Sequence, residues 1–180
     1  MGTFGRRPVV TNNSYSEPIL IRDVNDILST ATNKKWIDSK GNVDIEQVAK
    51  WQNINIVYDQ MDSSISGYLK MVDGQWVIGV NRLHNPKRQR FTIAHELGHY
   101  YMHKEKNVDF EDTTFFRNND STSIEYSANE FAANLLMPED RVKAAIKSGV
   151  KSIEKLSTIF NVSVAAIKYR VVALGYKLKS

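Results

Sequence analysis

FTIAHELGHYYMH, residues Phe91–His103, is the stretch on which the reading of the whole chain turns. It contains His95-Glu96-Leu97-Gly98-His99, an HExxH match. On an α-helix, residues four apart lie on one face, so His95 and His99 can offer two imidazole nitrogens to one metal ion. Zn²⁺ suits nitrogen ligands, and a catalytic zinc site keeps one position open for water. Glu96 stands next to the first ligand, where it can reach that water as general base, and the metal lowers the water's pKa toward neutrality. An accidental match in a chain of this length should occur in roughly one protein in a few hundred. Leu97, Ala94 and Tyr101 give the helix apolar neighbours, while Arg88-Gln89-Arg90 make a polar lead-in. Gly98 costs about 1 kcal/mol of helix stability relative to alanine, which is explicable if a second backbone has to pass close by. The competing readings are a surface helix with two incidental histidines and a closed structural zinc site. Closed sites usually draw on cysteine, and the chain has none.

A third ligand has to come from elsewhere. A predicted helix over 123–136, capped by Ser123, carries two glutamates, Glu125 and Glu130. Glu125, Asn129, Ala132 and Leu136 fall on one stripe at three- and four-residue spacing. Glu130 lies roughly 140° round from Glu125 and should face solvent or the preceding loop. Ala128 and Ala132 are small enough to let this helix approach the first. Asn129, one turn beyond Glu125, can fix a ligand histidine through its second nitrogen. Against this, an acid in a helix's first turn is favoured by the dipole alone. His103 continues the histidine face, but eight residues rise about 12 Å, too far for the same ion. His84 reads as a loop residue, with oxyanion stabilisation open to it; Tyr68, Arg117 and Tyr126 are unranked for that role.

Working outward, the 180 residues suffice for one domain with a small appendage, and 42% hydrophobic with 24% charged residues is ordinary for a globular chain. No apolar run reaches the ~18 residues of a membrane span, and residues 1–18 have no signal-peptide core. With zero cysteines this points to the cytoplasm. The net charge of +4 is uneven: from Glu139 onward nine lysines and arginines face three acids, a balance of +6, leaving −2 for the residues before. A basic tail can meet nucleic acid, or it can be a solvated helical surface.

The order of elements follows from period and punctuation. A flexible N-terminal segment, 1–20, precedes a helix over 21–31 whose apolar face is Val24, Ile27, Leu28 and Ala31. A second helix covers 44–52. The period then shifts to that of strands at 54–58, 65–71 and 75–81, the last two joined at Val72-Asp73-Gly74 as an antiparallel hairpin. Strand 75–81 is expected to offer an unpaired edge beside the cleft, where an extended peptide could add as a strand. After the 87–104 helix, the acidic, phenylalanine-bearing stretch 105–122 reads as a wall or lid of the cleft. Helices at 138–147, with Pro138 in its first turn, 152–159 and 163–174 complete the chain. The last pair flanks Phe160-Asn161-Val162 like a helix-turn-helix, with Leu156, Ile159, Val162, Ile167 and Val171 available to join it.

RFTIAHELGHYYMHK followed by EYSANEFAANLLMP, Glu125 to Pro138 in its second motif, resembles the ImmA/IrrE family of zinc metallopeptidases. The resemblance covers about residues 43–175. It implies zinc held by His95, His99 and Glu125, Glu96 as catalytic base, and a protein substrate that is a transcriptional repressor of a phage, mobile element or stress response. The expected fold is zincin-like α+β: a peptidase domain over 21–150 with a small, mostly antiparallel sheet packed on the HExxH helix, and a helical tail over 151–180 packed on it. Other readings are a DNA-binding regulator with a structural or vestigial metal site, and a toxin-type peptidase held by an inhibitor protein.

Overall fold

The computed structural model describes residues 17–103 and 121–177. The first sixteen residues and nearly all of the 105–122 loop lie outside the described residues, as do the side chains of His103 and Arg117. Helix α1 (Glu17–Asn33) buries Val24, Ile27 and Ala31. It starts four residues before the expected boundary and so takes in 17–20. Pro18 does not block it, because a proline in a helix's first turn gives up an N–H that has no partner there anyway. Asp44 caps α2 (Ile45–Trp51) by accepting from the backbone N–H groups of Glu46 and Gln47, both at 3.2 Å.

Three strands follow: β1 (Asn55–Asp59), β2 (Gly67–Val72) and β3 (Gln75–Asn81). Asp73 and Gly74 both have positive φ, 50° and 77°, the two-residue hairpin turn that Asp-Gly favours. The sheet order is β1-β3-β2, with β3 antiparallel to β2 and parallel to β1. The sheet is therefore mixed rather than mostly antiparallel, and β3 is its centre rather than an exposed edge. The reason lies in Val77–Asn81, which is buried throughout. A continuously apolar strand is covered on both faces and takes a central place, leaving the more exposed β1 and β2 as the edges.

Helix α3 (Pro86–His103) carries HELGH, and α4 (Ser121–Leu136) lies against it. Ser123 is inside α4, which begins before it, and so is not its cap. A Cβ on Gly98 would meet the Ala128 Cα at 3.0 Å and the Phe131 Cβ at 3.2 Å; the glycine is there because α4 passes against it. Ile93, Ala94, Leu97, Ala128, Phe131, Ala132 and Leu135 are buried along this seam.

After α5 (Glu139–Lys147), preceded by Pro138, come α6 (Ile153–Phe160) and α7 (Val164–Ala173), bent by 104° from one another. Ser152 and Ser163 cap them, and Asn161 makes the turn in the left-handed region. Leu156, Phe160, Val162, Ile167 and Val171 enter the same core cluster as α3 and α4. Ile159 is only half-buried, and Phe160 takes its place. Arg170 is buried and donates to the Met137 carbonyl at 3.1 Å and to Asn134 Oδ1 at 2.7 Å. Lys87 Nζ donates to Ser157 Oγ at 3.0 Å, and Arg141 donates to the carbonyls of Lys40 and Gly41. No single described helix is long and apolar enough to cross a membrane.

Candidate metal centre

His95 and His99 sit one turn apart on α3, and Glu125 enters from the second turn of α4. The two Nε2 atoms are 3.0 Å apart. Glu125 reaches both imidazoles, Oε2 to His95 Nε2 and Oε1 to His99 Nε2, each at 3.3 Å. Three possible donor atoms thus lie within 4.8 Å of one another, the only such His/Cys/Asp/Glu group found among the described residues. Asn129, one turn beyond Glu125, places Oδ1 3.0 Å from His95 Nδ1. An amide oxygen only accepts, so with the amide set this way Nδ1 carries the proton and Nε2 turns its lone pair toward the group. Lone pairs and a carboxylate converging on one point repel unless a cation lies between them, and a metal ion is the cation this donor set fits.

The electrostatics follow from burial and these contacts. Burial is the largest influence on His95 and pulls it down, but the facing Glu125 carboxylate, the Glu96 charge and Asn129 together push its pKa up. In His99 burial wins and the pKa falls. Burial also acts to raise Glu125, yet the facing His95 and His99 imidazoles hold it at about 2, so it remains a carboxylate. Glu96 is buried, 4% exposed, and burial pushes it up to about 7 against the pull of His95. Its Oε2 is buried with no hydrogen-bond partner among the described residues.

The group opens into a cleft of about 540 Å³ bordered by the 64–67 segment at the start of β2, by Arg88, Phe91 and Thr92 of α3, and by Asn129. Of these, Arg88, Thr92 and Ser66 carried no motif in the sequence. Arg88 donates to Ser66 Oγ across the cleft at 2.9 Å, a pairing between distant segments that no spacing rule reveals. The other expected residues are placed elsewhere. Glu130 is half-buried and accepts from Tyr169 Oη of the tail at 3.3 Å, while the loop before α4 lies outside the described residues. His84 Nε2 is 3.2 Å from the Ser63 carbonyl and does not border the cleft. Tyr68 donates to Asp59. A larger cleft of about 770 Å³, between 35–47 and the start of α3, contains none of the metal-group residues.

A mixed α+β fold in which two close helices hold a His-His-Glu group beside a buried glutamate is that of an HExxH metal-site protein. The profile of the peptidase M78 family, described as IrrE N-terminal-like domain, matches residues 49–172, and the chain belongs to this ImmA/IrrE family. Metallopeptidase ImmA of Bacillus subtilis (strain 168) is 29% identical over 147 residues, covering 77% of this chain and 81% of that protein. Uncharacterized immunity region protein 2 of Bacillus phage phi105 is 31% identical over 94 residues, 52% of this chain and 58% of that one. Among solved structures, a Mycobacterium tuberculosis transcriptional regulator superposes with a TM-score of 0.54 at 18% identity. That match covers 86% of this chain and 50% of the regulator, and it speaks to fold alone.

Proposed function

We propose that the chain is a zinc-dependent endopeptidase that cleaves a DNA-binding transcriptional repressor in the cytoplasm. His95, His99 and Glu125 hold the metal, Glu96 is the general base, and Asn129 orients His95. The observation that carries this reading is the convergence of three donor atoms within 4.8 Å beside the buried Glu96 Oε2, which has no hydrogen-bond partner among the described residues. Two nitrogens and one carboxylate oxygen are a donor set that would suit zinc. Zinc held by these residues would supply Lewis acidity and lower the pKa of water toward neutrality. Glu96 takes the proton from the attacking water and returns it to the leaving amine. Asn129 keeps the His95 lone pair aimed at the metal position. The substrate lies extended along the outer edge of β2, whose start borders the cleft and which has no strand partner on that side among the described residues.

A repressor target is supported by the family resemblance, by a relative named Metallopeptidase ImmA and by another named for a phage immunity region. A DNA-binding role for the tail draws less support. The exposed positions of α7 include Val164, Ala165, Tyr169 and Val172 with Lys168, and Arg170 is buried. Arg141 is likewise committed to backbone carbonyls.

Glu96→Gln tests the mechanism. The variant should keep zinc at the wild-type stoichiometry and lose about 10²–10⁴-fold in cleavage of a candidate repressor. Glu125→Ala should lose zinc and activity together, and Glu130→Ala should change either only slightly. Near-normal cleavage by Glu96→Gln would falsify the mechanism; an empty site in Glu130→Ala instead would move the third ligand.

A further inference from the structure

A second cleft, of about 590 Å³, opens beside the metal centre, between α3, α4 and the first turns of α7. It shares Arg88, Phe91 and Asn129 with the metal cleft, so the two adjoin along these residues. Its character is different. Phe91, Ala133, Met137 and Ala166 make an apolar lining, Tyr126 and Tyr169 stand at its rim, and among the described residues the only charged one in the lining is Arg88, at the junction with the metal cleft. The nearby acid, Glu130, is turned onto Tyr169 Oη. Asn129, which hydrogen-bonds His95, is common to both clefts. An extended peptide advances about 3.3 Å per residue, so a side chain entering here belongs to a residue within one or two of the reacting bond.

The far wall belongs to α7, and α7 is anchored by hydrogen bonds and core packing. Arg170 ties it to Met137 and Asn134, and Ser157 of α6 is tied to Lys87 of α3. Ala133 and Ala166 leave space where larger side chains would fill it. A fixed apolar recess with small residues inside and tyrosines at its rim selects by size and against charge.

Resting on the peptidase reading, we propose that this cleft receives a large apolar side chain of the polypeptide substrate beside the scissile bond, and that Ala166 and Tyr169 of the tail set which side chain is accepted. The tail is then a wall of the substrate site. A leucine or phenylalanine at that substrate position is favoured over alanine or lysine by about 10- to 100-fold, the range that a few buried methylenes provide.

Two measurements test this. In the metal-free chain, NMR follows the methyls of Ala133, Met137 and Ala166 during titration with isocaproamide, a leucine side-chain mimic, and with 6-aminohexanamide, its lysine counterpart. Saturable shifts are expected with the first and none with the second, and Ala166→Phe should remove them. In the zinc-loaded chain, a peptide set randomised around the cleaved bond should show the apolar preference. Ala166→Phe should move it toward small residues, chiefly through KM, and Tyr169→Ala should widen it toward tryptophan. Val172→Ser, exposed on α7 and outside the cleft, serves as the control that leaves the preference unchanged. Tyr169→Ala removes volume, so it keeps the test open if Ala166→Phe misfolds. Cleavage with no fragment shifts and a preference unmoved by either variant overturns the inference and leaves the peptidase reading intact. Selective fragment binding that Ala166→Phe removes, in a chain that cleaves no peptide, overturns the peptidase reading and leaves the apolar recess standing.

Discussion

Gly98 shows how one residue positions the metal group. The atoms its missing Cβ would strike belong to the α4 backbone, the Ala128 Cα at 3.0 Å and carbonyl oxygen at 3.2 Å, and backbone cannot rotate aside. Gly98→Ala gains about 1 kcal/mol of helix propensity, but overpacking a filled seam costs about 1–3 kcal/mol. Relieving the clash means moving the helix that carries Glu125. The variant is therefore expected to be net destabilised in urea, with an unchanged m-value, and to hold zinc more weakly. A more stable variant with full zinc affinity would show that the seam has slack. Asn129 acts through His95. Asn129→Ala should weaken zinc binding about 10–100-fold, while Asn129→Asp, which still offers an oxygen to Nδ1–H, should recover most of it. Equal losses in the two variants would point to packing rather than the hydrogen bond. The pairs were legible in the sequence because each lies on one helix face at a spacing of four residues, His95 with His99 and Glu125 with Asn129, and the meeting of the two helices was legible only from the small residues Gly98, Ala128 and Ala132. Arg88, Ser66 and Thr92 were not legible, since their meeting depends on how β2 lies against α3, which no local spacing encodes.

At the level of elements, the 61–66 segment between β1 and β2 is gathered largely by one side chain, with Arg88 and His84 adding one contact each. Asn81 Nδ2 points to the carbonyls of Met61, Asp62 and Ile65 at 3.3, 3.0 and 2.8 Å, and its Oδ1 accepts from the Leu83 N–H at 3.1 Å. Asn81 is fully buried at the end of β3. Removing its amide takes the shared donor from three part-buried carbonyls, at a cost of at most about 1–3 kcal/mol. Ser64 and Ser66 border the metal cleft, so the loss should reach the substrate. Asn81→Ala is expected to exchange amide hydrogens faster across 61–66 and to raise KM with little change in zinc content. Unaltered exchange in that segment would rule out the clamp. The sheet also marks the limit of reading from pattern. Alternation and the Asp-Gly turn locate all three strands and the hairpin, since those signals are local. The expected order, with the last strand outermost, follows the chain, whereas the actual order follows burial: Trp76–Val80 is the most apolar run and is taken into the middle, so β1 must pair with it in parallel. The exposed pattern of β1 was already visible in Asn55 and Asp59, but hydrophobicity ranks strands by depth only when they are compared with one another.

For the molecule as a whole, the question is whether α6 and α7 can be separated from the rest. The family match runs from 49 to 172, across the expected boundary at 150/151. Leu156, Phe160, Val162, Ile167 and Val171 share one core cluster with Met137, Val142 and Phe131. Met137 and Val142 have essentially no exposure, and Arg170 satisfies the Met137 carbonyl. Ending the chain at residue 151 would therefore uncover apolar side chains worth about 1.5–3 kcal/mol each and strip a buried carbonyl of its donor, in a domain whose total margin is about 5–15 kcal/mol. The truncated chain is expected to lose its cooperative urea transition, or to show a midpoint far below that of the full chain, and to lose zinc affinity as α4 loosens. The same packing bears on nucleic acid. With Arg170 and Arg141 bound to backbone carbonyls and an α7 surface rich in valine, alanine and tyrosine, the full chain should not retard a DNA duplex at 50 mM or at 200 mM salt. Electrostatic binding through many phosphate contacts would instead give an affinity falling by orders of magnitude between those two concentrations. A truncated chain that unfolds at the wild-type midpoint, together with salt-sensitive DNA retention that the truncation abolishes, would make the tail an independent DNA-binding unit and remove α7 from the wall of the substrate cleft.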